Sequence, residues 1–263
     1  MTEGTHSFDE GAAYERFMGR WSRAAGTIFL DWVAPPCDAR WLDVGCGTGV
    51  FTELVLDRCS PATVIAIDPS AAQIELARSK PVARQADFRV ADAQALPFGD
   101  GAFDVVASAL VMNFIPDRPQ ALAEMRRVGR PGGLLAAFVW DFAAERSPGS
   151  LLRRSMRRIG ADVPAVSGTE TSGHDAIRGL FAQAGLQEIA SRTIEVTVSF
   201  PDFDDFWQSQ TLSSNPTNKM IAALPATERA KLIAAVRTEL RAGSDGTFAY
   251  SARANAIKAR VPG

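Results

Sequence analysis

Trp41-Leu42-Asp43-Val44-Gly45-Cys46-Gly47-Thr48-Gly49 decides the reading of this chain. An apolar run, Trp41 to Val44, ends in three glycines at alternate positions. Spaced apolar residues from Val50 to Leu56 follow at once, which is the pattern of a strand, a tight turn and a helix. Glycine is required where the backbone takes a positive φ or where a ligand approaches without room for a Cβ. A helix starting near Gly49 points its free N–H groups at whatever lies over the turn. The alternative is a bare strand-to-helix turn whose glycines serve geometry alone. A dinucleotide fingerprint would read G-x-G-x-x-G, whereas the spacing here is G-x-G-x-G.

Downstream, Thr63 to Ile67 is a β-branched run that ends in Asp68. An acid at the end of a second parallel strand meets a ribose diol, because a carboxylate accepts two hydrogen bonds. The competing role is a helix N-cap, for which Ser70, just before the helix Ala71 to Arg78, is better placed. Phe88 to Ala91 reads as a third strand followed by Asp92, an acceptor for the exocyclic amine of a base or a simple turn aspartate. Ala93 beside it offers a backbone N–H. Phe103 to Ala109 is a fourth strand. Pro116 to Val128 is a helix with Leu122, Met125 and Val128 on one face. Arg130 to Gly133 turns the chain into a fifth strand, Leu134 to Trp140. Strands alternating with helices at this pitch predict a parallel sheet covered on both faces.

The flanks are less regular. Before the first strand, Tyr14, Phe17, Trp21, Ile28, Phe29 and Trp32 suit two helices with a break near Gly19, stopped at Pro35-Pro36. After Trp140, Asp141 and a helix follow. That helix carries Leu152, Ser155, Met156 and Ile159 on one side and Arg153, Arg154, Arg157 and Arg158 on the other. The arginines either grip an anionic group or form a solvated face. Ala176 to Ala184 is a helix closed by Gly185, and Glu188 to Phe200 alternates as a half-buried strand. Asp202 to Arg241 is helical and aromatic-rich, and Phe248 to Val261 is the last strand. The expected fold is α/β: a doubly wound, seven-stranded, mostly parallel Rossmann-like sheet with an antiparallel last strand and helical lid insertions. Its expected parts are N-terminal covering helices (1–36), a cofactor-binding core (37–140), a lid insertion (141–174), a core helix and strand (175–201), a helical insertion (202–246) and the last strand (247–263).

The chain has 263 residues, 46% of them hydrophobic and 22% charged, with a formal net charge of -2. These values suit a soluble globular protein and give no whole-chain footprint for nucleic acid or an anionic membrane. Cys37, Cys46 and Cys59 show neither the density of a disulfide scaffold nor a C-x-x-C pair for zinc. Met1 to Glu10 lacks an apolar segment, and no apolar run approaches a membrane span. The expected place is the cytoplasm, without anchor or signal. The sequence sets no oligomeric state.

The order of the motifs is more specific than any one of them. LDVGCGTG at 42–49, VIAIDPS at 64–70, ADAQALPF at 91–98, FDVVASALVMNFIPD at 103–117 and RPGGLL at 130–135 together resemble the class I S-adenosylmethionine-dependent methyltransferases. Within that family they are similar to the small-molecule group that includes the ubiquinone and menaquinone biosynthesis enzymes. YERFMGRWS at 14–22 resembles the lead helix of some members. The resemblance implies S-adenosyl-L-methionine as cofactor, with Gly45 and Gly47 against its methionine part. It places Asp68 on the ribose hydroxyls, Pro69 and Ser70 beside the adenine, Asp92 and Ala93 at the adenine amine and ring, and the backbone of Ser108 and Ala109 on the sulfonium side. Tyr14, Arg20 and Trp21 would close over the cofactor, with Arg20 on its carboxylate; Tyr14 and Trp21 also read as core of the helix.

Where many relatives carry a histidine pair, this chain has Asn113-Phe114, which removes the obvious general base. The remaining candidates are His174, Asp141 and Tyr14, since the other histidine, His6, belongs to the N-terminal tail. The reading is a methyltransferase acting on a small organic acceptor by in-line displacement. The acceptor would be aromatic or lipid-like if Met156, Phe203, Phe206 and Trp207 enclose it, and undefined if these residues are lid core. The alternatives are an NAD-dependent dehydrogenase, disfavoured by the glycine spacing and by Asp92, and a catalytically silent cofactor-binding module.

Overall fold

The computed structural model describes residues 11–211, 216–240, 242–243 and 246–263. The strands are β1 (Arg40–Val44), β2 (Thr63–Asp68), β3 (Asp87–Val90), β4 (Phe103–Ala109), β5 (Gly129–Trp140), β6 (Gln187–Phe200) and β7 (Phe248–Arg260). They form one sheet in the order β3-β2-β1-β4-β5-β7-β6. The first five pair in parallel, and β7 runs antiparallel between β5 and β6. The order reverses between β1 and β4, so the crevice of this doubly wound sheet lies beyond their carboxyl ends, where the glycine turn begins.

Both faces of the sheet are covered. One carries α1 (Gly11–Val33), α2 (Val50–Cys59) and α3 (Ala71–Ser79), and the other carries α4 (Arg118–Val128) and α6 (His174–Gln183). This is why four successive residues of β1, Trp41 to Val44, are all buried. Leu122, Met125 and Val128 of α4 are buried as their spacing requires, and Asp117 caps that helix by accepting from the Gln120 N–H at 3.0 Å.

Two boundaries differ from the sequence expectation. The break near Gly19 does not exist: α1 is one helix of 23 residues. Met18, Trp21, Ala25, Phe29 and Val33 repeat every three or four positions from the helix centre onward, and all are buried. An interior glycine costs about 0.5–1 kcal/mol relative to alanine. Burying each large side chain returns about 1.5–3 kcal/mol, so the helix continues. The turn expected at Arg130 to Gly133 is instead a bulge inside β5. Phe103 pairs with Gly129 and Val105 already with Leu134, and Gly132 takes a φ of +71°.

The two insertions pack on each other. Helix α5 (Ser150–Arg158) faces α9 (Ala226–Glu239), with α7 (Phe203–Thr211) and α8 (Pro216–Ala223) beside them. The arginine row of α5 is ion-paired rather than a free anion grip, with Arg157 and Arg158 exposed. Arg158 pairs with Glu239, Arg154 reaches Glu239 at 3.3 Å and the Glu145 carbonyl at 2.8 Å, and Arg157 pairs with Glu145. Met156, Phe203 and Phe206 are buried in the core that contains Trp21, Trp140 and Phe200, and Trp207 packs against it. No helix among the described residues is long and apolar enough to cross a membrane.

Gly26 marks the contact between α1 and α2: a Cβ built there would lie 2.7 Å from Leu54 Cδ1 and 3.4 Å from Phe51 Cδ2. Gly26→Val, which adds two branched methyls at that contact, is expected to cost about 1–3 kcal/mol by overpacking. Urea unfolding measures it, and an unchanged midpoint would show that the two helices are not in close contact.

Candidate functional site

The glycine turn is fixed from below by β2. The N–H groups of Gly45 and Cys46 both donate to the Ile67 carbonyl at 2.8 Å. Gly45, Gly47 and Gly49 all take positive φ, at +80°, +53° and +86°. A Cβ at Gly45 would lie 2.5 Å from Val111 Cγ1, whereas one at Gly47 would meet nothing within 4 Å. Gly45 is therefore demanded by packing as well as by conformation, and Gly47 leaves its backbone open to the space above.

Asp68 ends β2 and ties two turns together. One carboxylate oxygen accepts from the Gly47 N–H at 3.0 Å and the other from the Ser70 N–H at 2.9 Å. Burial pushes its carboxyl above the ordinary range, against the pull of those two hydrogen bonds. The cap of α3 belongs to Ser70, whose hydroxyl accepts from the Gln73 N–H at 3.4 Å, so Asp68 is not spent on capping. Asp92 forms the next turn, accepting from the Gln94 N–H at 2.9 Å.

These turns wall a cavity of about 610 Å³, a volume in the range of ligand pockets. Its lining follows the strand order along the carboxyl edge of the sheet. Asp92, Ala93 and Gln94 come after β3, Asp68, Pro69 and Ser70 at β2, Gly45 to Thr48 after β1, and Ala109, Leu110 and Val111 at β4. Phe138 of β5, Phe51 of α2, and Gly19 and Ser22 of α1 also line it, as do Phe114, Ile115 and Pro116 beyond β4. The charged side chains among its described lining are the two carboxylates, both at the β2–β3 end. The β4–β5 end is apolar.

Gly45, Gly47, Asp68, Pro69, Ser70, Asp92, Ala93 and Ala109 are thus brought together as their sequence positions suggest. Other expected residues sit elsewhere. Ser108 is fully buried behind the wall. Trp21 lies in the core, edge-on to Trp140 at 6.5 Å and to Tyr250 at 5.8 Å. Arg20 turns away to Asp205 at 2.9 Å, with its guanidinium 5.9 Å from the Phe200 ring. Asp141 is buried and engaged, accepting from Arg253 at 2.7 Å and from the Ala144 N–H at 2.9 Å. His174 begins α6, half-exposed, 3.3 Å from Asp175 and outside the lining. The side chain of Tyr14, and His6, lie outside the described residues. Neither Met156 nor Phe203, Phe206 or Trp207 lines the cavity.

The Asn113-Phe114 pair divides its roles. Asn113 is buried and donates through Nδ2 to the Ser167 carbonyl at 3.2 Å, while its own carbonyl accepts from Arg118 at 2.7 Å. Phe114 lines the cavity and meets Phe142 edge-on at 6.1 Å. The first insertion therefore supports this wall from behind. The wall residues least visible in the sequence are Leu110, Val111, Phe51 and Phe138. The only local signal was that they surround the glycine turn and the end of β4, where Leu110 takes a φ of +63° that nothing in its side chain advertises.

A family model described as a methyltransferase domain matches residues 42–137. The ubiquinone/menaquinone biosynthesis C-methyltransferase of Dinoroseobacter shibae is 37% identical over 124 residues, covering 46% of this chain and 49% of the relative. The demethylmenaquinone methyltransferase of Thermus thermophilus is 34% identical over 163 residues, covering 61% of this chain and 71% of the relative. The chain spans about half or less of the length of the first relatives it matches. Among solved structures, a phosphoethanolamine N-methyltransferase of Haemonchus contortus in complex with S-adenosyl-L-methionine superposes with a TM-score of 0.59. It is 17% identical and covers all of this chain and 62% of that one, a likeness of fold.

Beneath the turn lies a second acid. Asp43 of β1 is wholly buried and accepts from Thr52 Oγ1 at 2.7 Å, which anchors the first turn of α2. Burial, and then the charge of Asp68, raise its carboxyl to about 7. An unfolded aspartate titrates near 3.9. The folded state thus favours the protonated form, so this group's contribution to stability is complete below about pH 4, is lost as pH rises toward 7, and is flat above that. Asp43→Asn keeps the acceptor for Thr52 and removes the charge. Denaturant unfolding at pH 5 and pH 8 is expected to show the variant gaining on the parent at the higher pH; an equal difference at both would mean that Asp43 does not titrate in this window.

Proposed function

The chain belongs to the class I S-adenosylmethionine-dependent methyltransferases, and we propose that it moves a methyl group from S-adenosyl-L-methionine to a small organic acceptor by in-line displacement. The observation that carries this reading is the Asp68 carboxylate, held by the Gly47 and Ser70 N–H groups inside the cavity. Each of its oxygens takes one backbone donor and keeps capacity for another, which matches a vicinal diol. The residues fit the cofactor on structural grounds: Gly47 presents open backbone, and the two acids stand where a nucleoside needs acceptors.

Asp68 would hold the ribose hydroxyls. Pro69 and Ser70 would flank the adenine, and Asp92 with Ala93 would take its amine and ring. Gly45 and Gly47 would run along the methionine portion, and Ala109 would border the sulfur. When bound, the cofactor supplies a methyl group on a sulfonium, an already activated leaving group. What remains for the protein is to hold the acceptor in line and to exclude water. The walls at the β4–β5 end, Leu110, Val111, Phe51 and Phe138, suit those two tasks and carry no acid or base of their own. Their chemistry favours an aromatic or lipid-like acceptor. Asp141 and His174, held elsewhere, take no part in this account.

Asp68→Ala is expected to weaken S-adenosylhomocysteine binding by about 10- to 100-fold, the loss of charge-assisted hydrogen bonds worth about 1.5–3 kcal/mol. Because burial raises the Asp68 carboxyl, affinity in the parent is expected to fall on acidification sooner than an ordinary carboxyl would dictate. Calorimetry reads both. An unchanged affinity in the variant would leave Asp68 a purely structural tie and remove the main support for this reading.

A further inference from the structure

Near its end the first insertion forms a short loop, residues 167–172, that is seated on the back of the cavity wall. Gly168 is buried there with a φ of +69°, and a Cβ built on it would overlap the Asn113 carbonyl oxygen and lie 2.5 Å from Arg118 Nη2. The nearest obstacle is backbone, so the seat exists because residue 168 has no side chain. Around it, Asn113 Nδ2 donates to the Ser167 carbonyl at 3.2 Å. Arg118 Nη2 donates to the Asn113 carbonyl at 2.7 Å and stands 3.7 Å from Glu170. The other end of the loop is fixed to the sheet, where the Ser172 carbonyl accepts from Asn255 Nδ2 of β7 at 2.9 Å.

The wall that rests on this seat leads to Asp92. Phe114, Ile115 and Pro116 follow Asn113 directly and line the cavity. The next residue, Asp117, donates its N–H to Gln94 Oε1 at 2.9 Å, and Gln94 Nε2 donates to both Asp92 carboxylate oxygens at 3.1 Å. Ile115 shares a buried cluster with Ala93 and Leu96, the neighbours of that acid. Hydrogen bonds and chain connectivity thus run unbroken from the loop to the acid.

We infer that Gly168 is a positioning residue of the cofactor site: lacking a side chain, it seats the 167–172 loop on Asn113, and the 113–117 wall held there keeps Asp92 aimed at the adenine. The inference rests on the methyltransferase reading of the cavity and adds to it a residue outside the cavity lining. A second glycine of the same insertion separates this role from backbone strain alone. Gly160 takes a φ of +88°, yet a Cβ there would meet nothing within 4 Å. Alanine at either position carries left-handed strain, and only at 168 does it also lift the loop.

The test is calorimetry of S-adenosylhomocysteine binding to the full chain and to Gly168→Ala and Gly160→Ala, at a temperature where all are folded. Hydrogen exchange is followed in parallel at the Thr169, Thr171 and Ser172 amides, which are hydrogen-bonded at 3.1 to 3.2 Å. Gly168→Ala is expected to weaken binding at least about tenfold, and Gly160→Ala to stay within about twofold of the parent. Because coupling between two sites is reciprocal, the ligand is expected to slow exchange of those amides in the parent at least about threefold. If Gly168→Ala does not fold, Asn113→Ala, which removes the Ser167 hydrogen bond and leaves the backbone seat, decides in its place, with a loss of at least about threefold expected. A loss in the deciding variant no larger than that of Gly160→Ala, or amides that exchange alike with and without ligand, overturns the inference and leaves the cofactor reading intact. Failure of the parent to bind S-adenosylhomocysteine at all sinks the methyltransferase reading, and this inference with it.

Discussion

The Asp68 carboxylate is the tie on which the site depends. It joins the turn after β1 to the turn after β2 through two backbone N–H donors, at 3.0 and 2.9 Å. Those donors keep a largely buried carboxylate solvated by the protein itself, although burial still raises its carboxyl above the ordinary range. The Gly47 bond, together with the Gly45 and Cys46 N–H groups on the Ile67 carbonyl, holds the glycine turn in place, and α2 starts directly after that turn. Asp43, one layer below, closes the arrangement through Thr52. Burial and the neighbouring Asp68 hold Asp43 toward its protonated form, so the stacked pair carries two full negative charges only as the pH rises past about 7.

Around this tie the fold divides its work by strand order. The β2–β3 end provides acceptors, the β1–β4 crevice provides open backbone, and the β4–β5 end provides apolar walls. Helix α1 covers the cavity from above. The insertion after β5 does not line it but braces it: Asn113 is held by Ser167, Gly168 lies against the Asn113 carbonyl, and Phe142 backs Phe114. Asn113 serves in this way as support for the wall, its Nδ2 on the Ser167 carbonyl. The second insertion packs α7, α8 and α9 onto α5 and the β6–β7 hairpin, where its aromatic residues form a core rather than a pocket.

Most of the central sheet was legible because each strand is short, strongly apolar and followed by residues with a local reason to be there. Gly45, Asp68, Ser70 and Asp92 all sit at strand ends, where sequence order and spatial order coincide. What was not legible depends on contacts distant in sequence. Gly19 signalled a break, yet Trp21 and Phe29 bury enough surface to carry the helix through it. Arg20 reads from the sequence as a candidate cofactor ligand, and the partner it has in the fold, Asp205, lies 185 residues later. The arginines of α5 looked free because Glu239 comes from a separate insertion. The aromatic residues Phe203, Phe206 and Trp207 had the composition of a binding wall, but only the packing of α7 shows which side they face.

In the proposed function, the cavity at the carboxyl edge of β1, β2 and β4 holds S-adenosylmethionine through the Asp68 tie. The most direct measurement is a crystal structure of the full chain with S-adenosylhomocysteine. Density for the ribose on the Asp68 carboxylate, with the adenine toward Asp92 and the sulfur toward Ala109, is the predicted result. A nucleoside bound away from Asp68, for instance in the cleft between α4 and α6 on the opposite edge of the sheet, would contradict it.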